Sequence, residues 1–332
     1  MSGPLTGVRI AVTGGTGFLG FHIVRALAEA GASISVLVRP TSPRDRLAAF
    51  NPRWVDGDLS DPAALARLAR GASVFVHGAG LTIAPAWKKY AEVNVEGTRR
   101  AVRAAAAESV PAFILISSQA AGGPAQNVAS GNAPVPARRE DDPPDPRSNY
   151  AKSKLAAEEA VEKDGAGIAS RIMLRPGAIY GPYDKAFLAY FKPVEKGLRA
   201  MLGAGRKVFQ PVHAADVASA VVAAAIARPA GLKKYFIVGP STVTWEEFGS
   251  ELSRAGGKNP VCIRVPEFLI PRRLLGLFPP TSAVADRLLD LLADRWDSDP
   301  RLAEKELGWK ARVSLKDGLK ETWDWYRNNH WV

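Results

Sequence analysis

Thr13-Gly14-Gly15-Thr16-Gly17-Phe18-Leu19-Gly20 decides the fold of this chain. A β-branched run from Val8 to Thr13 leads into it, and an amphipathic segment from Phe18 to Ala30, closed by Gly31, leads out. Each glycine has a steric reason in a strand–turn–helix unit. Gly14 permits the tight turn off the strand, Gly17 lets the backbone approach a pyrophosphate, and Gly20 lets the helix lie close on the sheet. Thr16, Gly17, Phe18 and Leu19 then bring the free N–H groups of the helix start to the phosphates. A dinucleotide is the expected ligand.

The alternation continues on both sides of that turn. Ser33 to Val38, Trp54 to Asp56, Ser73 to His77 and Ala112 to Ser117 read as strands. Between and after them lie helical patterns: Pro62 to Arg70 behind Asp61, Ala91 to Glu108, and Tyr150 to Lys163, the last followed by a strand ending near Arg175. Such spacing predicts an α/β fold with a doubly wound parallel Rossmann sheet. Gly122 to Ser148 is proline-rich and irregular, as expected of a loop that serves a site. Beyond it come a turn at Tyr180 to Pro182, a helix from about Phe187 to Lys196, and turns to Lys207. Asp216 to Ala227 reads as a helix and Tyr235 to Val238 as a strand. The remainder is expected to be helical except for a strand at Val261 to Val265. Residues 1–176, completed by 213–238, are the expected cofactor-binding domain. Residues 177–212 and 239–332 are the expected smaller, mainly helical substrate lobe.

Composition narrows the function classes. The 332 residues are 47% hydrophobic and 23% charged, an ordinary globular balance. A lone Cys262 excludes a disulfide scaffold and a thiolate metal site, and the four histidines (His22, His77, His213, His330) lie far apart, so no metal is expected. Met1 to Gly7 lacks a signal-peptide pattern, and no transmembrane segment is expected, which points to a cytoplasmic location. The most apolar stretch, Pro266 to Leu292, is broken by Arg272, Arg273, Asp286 and Pro279-Pro280. Its Phe268 to Phe278 portion is left open between core contact, lid and membrane-surface contact. The formal charge of +11, from 44 basic and 33 acidic residues, comes without a nucleic-acid module. An anionic small molecule is therefore the expected partner, and nucleic acid is not.

The end of the second strand chooses between cofactors. An acidic residue there would accept from the adenosine ribose and favour NAD. Here Val38 is followed by Arg39, then Arg44 and Arg46, and a guanidinium suits a 2′-phosphate. NADP(H) is the expected cofactor, with NAD(H) the alternative. Asp58 is placed to accept from the adenine amino group. Gly78-Ala79-Gly80, after His77, keep the backbone close beside the cofactor.

Tyr150 and Lys154 are four residues apart on one predicted helix and so share a face. A free phenol has a pKa of about 10, and a neighbouring ammonium favours the phenolate. Tyr150 thereby becomes a usable acid or base. Ser118, at the end of the fifth strand, is placed to hydrogen-bond a substrate oxygen on which charge develops.

Taken together, these residues resemble the extended short-chain dehydrogenase/reductase superfamily, which includes sugar-nucleotide epimerases, dihydroflavonol reductases and 3β-hydroxysteroid dehydrogenases. Thr13 to Gly20, Asp58-Leu59, His77 to Gly80, Val93 to Thr98, Ser117-Ser118, Tyr150 to Lys154, Leu174 to Pro182, Val212 to Val217 and Leu307 to Trp309 all match its patterns. The resemblance implies that Ser118, Tyr150 and Lys154 are catalytic and that Asn94 supports a proton-relay water near Lys154. It also implies that Leu59, Ser117 and Pro176 line the cofactor and that Lys154 holds the nicotinamide ribose. His213 and Asp216 are expected to fix a turn and helix. A homodimer through the helices starting near Ala91 and Tyr150 is expected as well.

Within that superfamily, dehydratases carry an Asp-Glu pair directly after the catalytic hydroxyl, whereas Ser118 is followed by Gln119-Ala120-Ala121. Epimerases tend to carry an Arg-Asp-Phe-like run before the His–Asp motif, whereas this chain reads Lys207-Val208-Phe209-Gln210-Pro211-Val212-His213. The expected activity is interconversion of a carbonyl and a secondary alcohol on a fairly apolar small molecule. Phe187, Leu188, Tyr190, Phe191 and Met201 are candidate pocket residues. The alternatives are a nucleotide-sugar epimerase holding NAD, with Arg199 and Arg206 reaching a diphosphate, and a non-catalytic cofactor-binding assembly protein.

Overall fold

Ile10 and Val12 enter one core and Ala11 the other, so the first strand is already buried on both faces. The computed structural model describes residues 3–126, 136–203, 205–266, 290 and 293–332. Its main elements, in chain order, are β1 (Arg9–Thr13), α1 (Phe18–Glu29), β2 (Ser33–Val38), β3 (Arg53–Asp56), α2 (Pro62–Ala69) and β4 (Val74–His77). There follow α3 (Gly97–Ala107), β5 (Ala112–Ile116), α4 (Asn149–Asp164), β6 (Ser170–Pro176), α5 (Ala214–Ala227) and β7 (Gly231–Ile237). Last come α6 (Trp245–Ala255) and α7 (Leu315–Asn328).

The seven strands form one parallel sheet in the order β7-β6-β5-β4-β1-β2-β3. From β1 the chain winds outward one way to β3, then returns and winds the other way through β4. That reversal leaves a crevice at the carboxyl ends of β1 and β4, where open α/β sheets bind ligands. Helices α1 and α5 cover one face with an aliphatic core, and α2, α3 and α4 cover the other. Local capping fixes several helix starts. Asp61 accepts from the Ala64 N–H ahead of Pro62 at the first helical position, and Ser148 accepts from the Ala151 N–H at the start of α4.

A third cluster is aromatic. Tyr180, Phe187, Phe191, Phe209, Phe248, Trp323 and Tyr326 pack together, drawn from segments spread over the second half of the chain. Here the structure corrects one expectation. Residues Leu198–Leu202 form a strand, not turns, paired in parallel with Val261–Val265. The short strands Val208–Phe209, Val243–Thr244 and Arg295–Trp296 form a further small sheet in a region read as turns and helix. The expected helix at Ala91 begins earlier, at Trp87, and passes through a π-helical turn at Ala91–Glu96 before α3. Phe268 to Phe278 lies outside the described residues. Among those described, no helix is long and apolar enough to cross a membrane.

Candidate active site

The glycine turn is built as its spacing requires. Gly14 has φ +76°, and a Cβ on it would lie 2.6 Å from the Ala79 nitrogen, so the turn and the end of β4 approach more closely than a side chain permits. A Cβ on Gly20 would come 2.0 Å from the Gly14 carbonyl oxygen. Gly17 starts α1 with no side-chain cap and no acidic residue in the first turn. The helix start therefore keeps its N–H groups and positive dipole end for an anion. This cradle fits a dinucleotide pyrophosphate. Thr16, Phe18 and Leu19 are half-buried around it.

The three arginines after β2 have different surroundings. Arg44 pairs with Asp56 and stacks on Trp54, and Arg46 lies over the Tyr183 ring. Arg39 is exposed, and its side chain has no hydrogen bond, ion pair or ring contact among the described residues; it faces the charge of Asp58. The expectation for a 2′-phosphate thus narrows from three guanidiniums to one. Asp58 accepts from Ser60 through both the backbone N–H (2.7 Å) and the hydroxyl (2.6 Å), and these bonds hold its carboxyl below the usual carboxylate range. Leu59 packs toward Gly97 on the α3 side.

The second half of the site converges on α4. Asn94, held by the π-helical turn, accepts from the Leu81 N–H (2.7 Å) and donates to Ser153 Oγ (2.9 Å), and Ser153 in turn donates to the Tyr150 carbonyl. A Cβ on Gly80 would lie 3.1 Å from Asn94 Oδ1 and 3.5 Å from Lys154 Nζ, so these groups share one small space. Lys154 Nζ donates to the Ile116 carbonyl at the end of β5 (2.9 Å), two residues before Ser118. Burial lowers Lys154 to about 8, and the negative charge of Glu158 opposes that shift. Ser118 is half-buried and caps the short helix Gln119–Gly122 through the Ala120 N–H (3.2 Å). Tyr150 is half-buried one turn before Lys154.

Sequence reasoning missed the layer beneath. Glu158, one turn beyond Lys154, forms a two-bonded ion pair with Arg175 (2.9 and 2.7 Å), with both side chains almost fully buried. Ser117 Oγ donates to Glu158 (2.5 Å), which ties its hydroxyl to this layer. The four-residue spacing from Lys154 to Glu158 was a readable signal for the carboxylate; its partner on β6 was not. A second chain runs from Gln119 to Ser298 Oγ (2.7 Å), while the Ser298 N–H donates to Gln210 (2.6 Å). The position after Ser118 is thereby filled by a buried neutral amide. Pro176 is buried at the end of β6.

His213 and Asp216 are tied into the fold. His213 accepts at the start of α5 (3.4 Å), and burial pulls it down to about 4. Asp216 accepts from the Arg312 and Val313 N–H groups (3.0 Å each).

The candidate pocket residues divide. Phe191 is fully buried against Trp323 and Tyr326, and Phe187 packs on Phe248, so both belong to the aromatic core. Tyr190 and Met201 instead line a cavity of about 220 Å³, with Trp245, Phe248, Leu252, Arg199 and Lys207. Trp245 lies stacked between Tyr190 and Phe209, with ring centroids 5.4 and 4.2 Å away. Arg199 is paired with Glu246 at 2.8 Å.

Comparison with known proteins places these features. A model of the NAD dependent epimerase/dehydratase family matches residues 10–239. A ceramide reductase of Caulobacter vibrioides is 34% identical across 97% of this chain and 96% of its own length. The 4-hydroxy-2-methyl-3-oxo-4-farnesyl-3,4-dihydroquinoline-1-oxide ketoreductase of Stigmatella aurantiaca is 29% identical across 94% of this chain and 95% of its own. A crystal structure of dTDP-glucose 4,6-dehydratase from Streptomyces venezuelae with NAD bound matches with a TM-score of 0.77 and 26% identity, covering 97% of this chain and 98% of that one.

Proposed function

The chain belongs to the NAD dependent epimerase/dehydratase family, within the extended short-chain dehydrogenase/reductase superfamily, and from that premise we propose that it is an NADP(H)-dependent ketoreductase acting on an apolar, chain-bearing ketone. The observation that carries this reading is the aromatic cavity of about 220 Å³ around Tyr190 and Trp245. Phe209 stands where an epimerase-like run would place its arginine, and it stacks on Trp245. Of the two arginines that an epimerase would bring to a diphosphate, Arg199 is held by Glu246, and Arg206 is exposed and does not line the cavity. Apolar walls of this kind favour a hydrocarbon over a nucleotide. The two relatives support the same direction: one is named for ceramide and the other for a farnesylated 3-oxo ring.

Bound NADPH would supply the hydride. The glycine turn from Gly14 to Gly20 holds the pyrophosphate, Arg39 takes the 2′-phosphate, and Asp58 faces the adenine. Gly78, Ala79 and Gly80 leave backbone space beside the dinucleotide. Ser118 orients the carbonyl oxygen, and Tyr150 donates the proton that converts it to an alcohol. Lys154 holds the nicotinamide ribose and keeps a positive charge behind Tyr150. Asn94 supports the water through which Tyr150 is reprotonated. With Gln119 in place of an acid, no carboxylate is at hand next to Ser118 to expel water, so reduction ends at the alcohol.

A panel of ketones of increasing chain length, read by NADPH absorbance, tests the proposal. Turnover should rise with chain length and should be weaker with NADH. Arg39→Gln should weaken NADPH about tenfold and leave NADH unchanged, the loss expected for one charge-assisted contact. Equal loss for both cofactors would overturn the role of Arg39. Turnover of nucleotide sugars in preference to ketones would overturn the substrate class.

A further inference from the structure

We propose that the protein carries a second anion site, at the amino-terminal end of its sheet, shaped for a phosphate-bearing group. A cavity of about 520 Å³ opens there, lined by Arg9, Arg53, Arg67 and Arg70 together with Ser35. Arg9 opens β1 and Arg53 opens β3, while Arg67 and Arg70 lie at the carboxyl end of α2. The glycine turn leaves the other end of β1, about 17 Å away at the rise of an extended strand. The cavity is therefore separate from the cofactor cleft.

Four guanidinium groups around one cavity repel each other, and only two have acidic neighbours. Arg70 reaches Glu108 at 3.3 Å, and Arg67 lies 3.9 Å from Asp61. Among the described residues, Arg9 and Arg53 make no ion pair, while Asp56 is taken by Arg44. Two positive charges thus face the cavity uncompensated. They account for part of the +11 that the cofactor leaves without a role.

These groups are held in place. Arg53 donates Nε to Ser35 Oγ (2.9 Å) and Nη2 to the Arg67 carbonyl (3.1 Å), and Arg67 donates Nη2 to the Asp56 carbonyl (3.0 Å). Arg9 lies against Gly71, where a Cβ would come 2.8 Å from Nη2 and 2.9 Å from Cζ. Gly71 also has φ +69°, so a glycine there serves both the turn and the room for Arg9. Guanidinium forks fixed in this way lose little freedom on taking an anion, and their paired N–H groups match phosphate oxygens. A phosphate offers three acceptor oxygens to several donors at once, more than a carboxylate can. The lining contains no aromatic side chain, unlike surfaces that stack nucleic-acid bases.

The test uses dinucleotide-saturated protein, so that the glycine turn is already filled. Inorganic pyrophosphate is titrated calorimetrically in one arm, and vesicles of phosphatidylglycerol in phosphatidylcholine are sedimented with the protein in the other. Saturable binding is expected in at least one arm: the pyrophosphate arm identifies a soluble phosphate ester, the vesicle arm a lipid headgroup. The double variant Arg9→Gln/Arg53→Gln should weaken it about tenfold or more while keeping wild-type thermal melting. Gly71→Ala, which keeps every charge but displaces Arg9, should weaken it too. Arg103→Gln, which removes an exposed arginine paired with Asp164 elsewhere, should leave it unchanged. Absence of binding in both arms, an equal loss in Arg103→Gln, or tighter binding of duplex DNA than of either probe overturns the proposal.

Discussion

The aliphatic cores of the sheet and the aromatic cluster beside it are built on different principles. Around the sheet the cores are mainly aliphatic; successive strand residues go to opposite faces and each helix buries one side, so every element fills its core by a local period. The aromatic cluster has no such period. It joins Tyr180, Phe209, Phe248 and Trp323 from four separate elements through ring contacts such as the edge-to-face pair Phe209–Phe248 and the tilted pair Phe191–Trp323. The periodic part supplies chemistry common to a superfamily. On the function proposed above, the aperiodic part supplies the walls that select a substrate.

Substitutions can break that division of labour. The largest effect is expected from Tyr150→Phe, which removes the proposed proton donor while leaving the ring in place. Turnover should fall by about 10²–10⁴-fold, with dinucleotide affinity by fluorescence titration within a factor of two. Loss of cofactor binding instead would mean that Tyr150 belongs to the cradle more than to the chemistry.

Glu158→Gln probes the layer under the site. It leaves Arg175 buried without its carboxylate, and breaking a pair of this kind costs about 3–5 kcal/mol, visible as a lower urea midpoint. It also removes the charge that favours the Lys154 ammonium. Lys154 is lowered to about 8, so its charge is present below that pH and lost as pH rises through it. The alkaline limb of kcat/KM should therefore move to lower pH in Glu158→Gln. A fall in stability with an unmoved limb would make Glu158 a purely structural residue.

Trp245→Leu acts on the other side of the comparison. It should raise KM for a long-chain ketone about tenfold while changing kcat and short-chain ketones little, because a pocket contact discriminates by only about 1–3 kcal/mol per apolar group. Equal losses for short and long chains would detach the aromatic cavity from substrate selection.

The same contrast explains how much was legible in the sequence. The strand–turn–helix at Thr13 to Gly20 and the α4 stripe of Tyr150 and Lys154 are local, so spacing alone revealed them. The ribbon at Leu198–Leu202 was not, since Leu-Arg-Ala-Met-Leu has no β-branched residue and its partner at Val261–Val265 is remote. Neither does a π-helical turn at Ala91–Glu96 carry a sequence signature, although Asn94 within it was found by resemblance. Arg175 sat inside a recognised motif, yet its pairing with Glu158 depends on packing between β6 and α4. The cavity beneath β1 and β3 gathers residues whose exposed positions read singly as solvated charge.

The smallest effect is expected where the sheet and the aromatic cluster meet. His213 caps α5 from one side and lies against Tyr180 on the other, with ring centroids 5.3 Å apart. Burial holds His213 and His22 near 4 and His77 near 3, each below the ordinary histidine value. In the unfolded chain all three take up protons near pH 6.5; in the folded chain they resist until near pH 4. The unfolded state thus binds more protons in that window, and stability must fall as pH drops from about 6.5 toward 4. His213→Asn keeps an acceptor at the cap and removes one titrating group. Its thermal stability should depend less steeply on pH by up to one proton in that window, while at pH 8 it should melt within a few degrees of the wild type. An unchanged slope would mean that His213 is already charged in the fold, and that the junction between the two cores is wetter than its burial indicates.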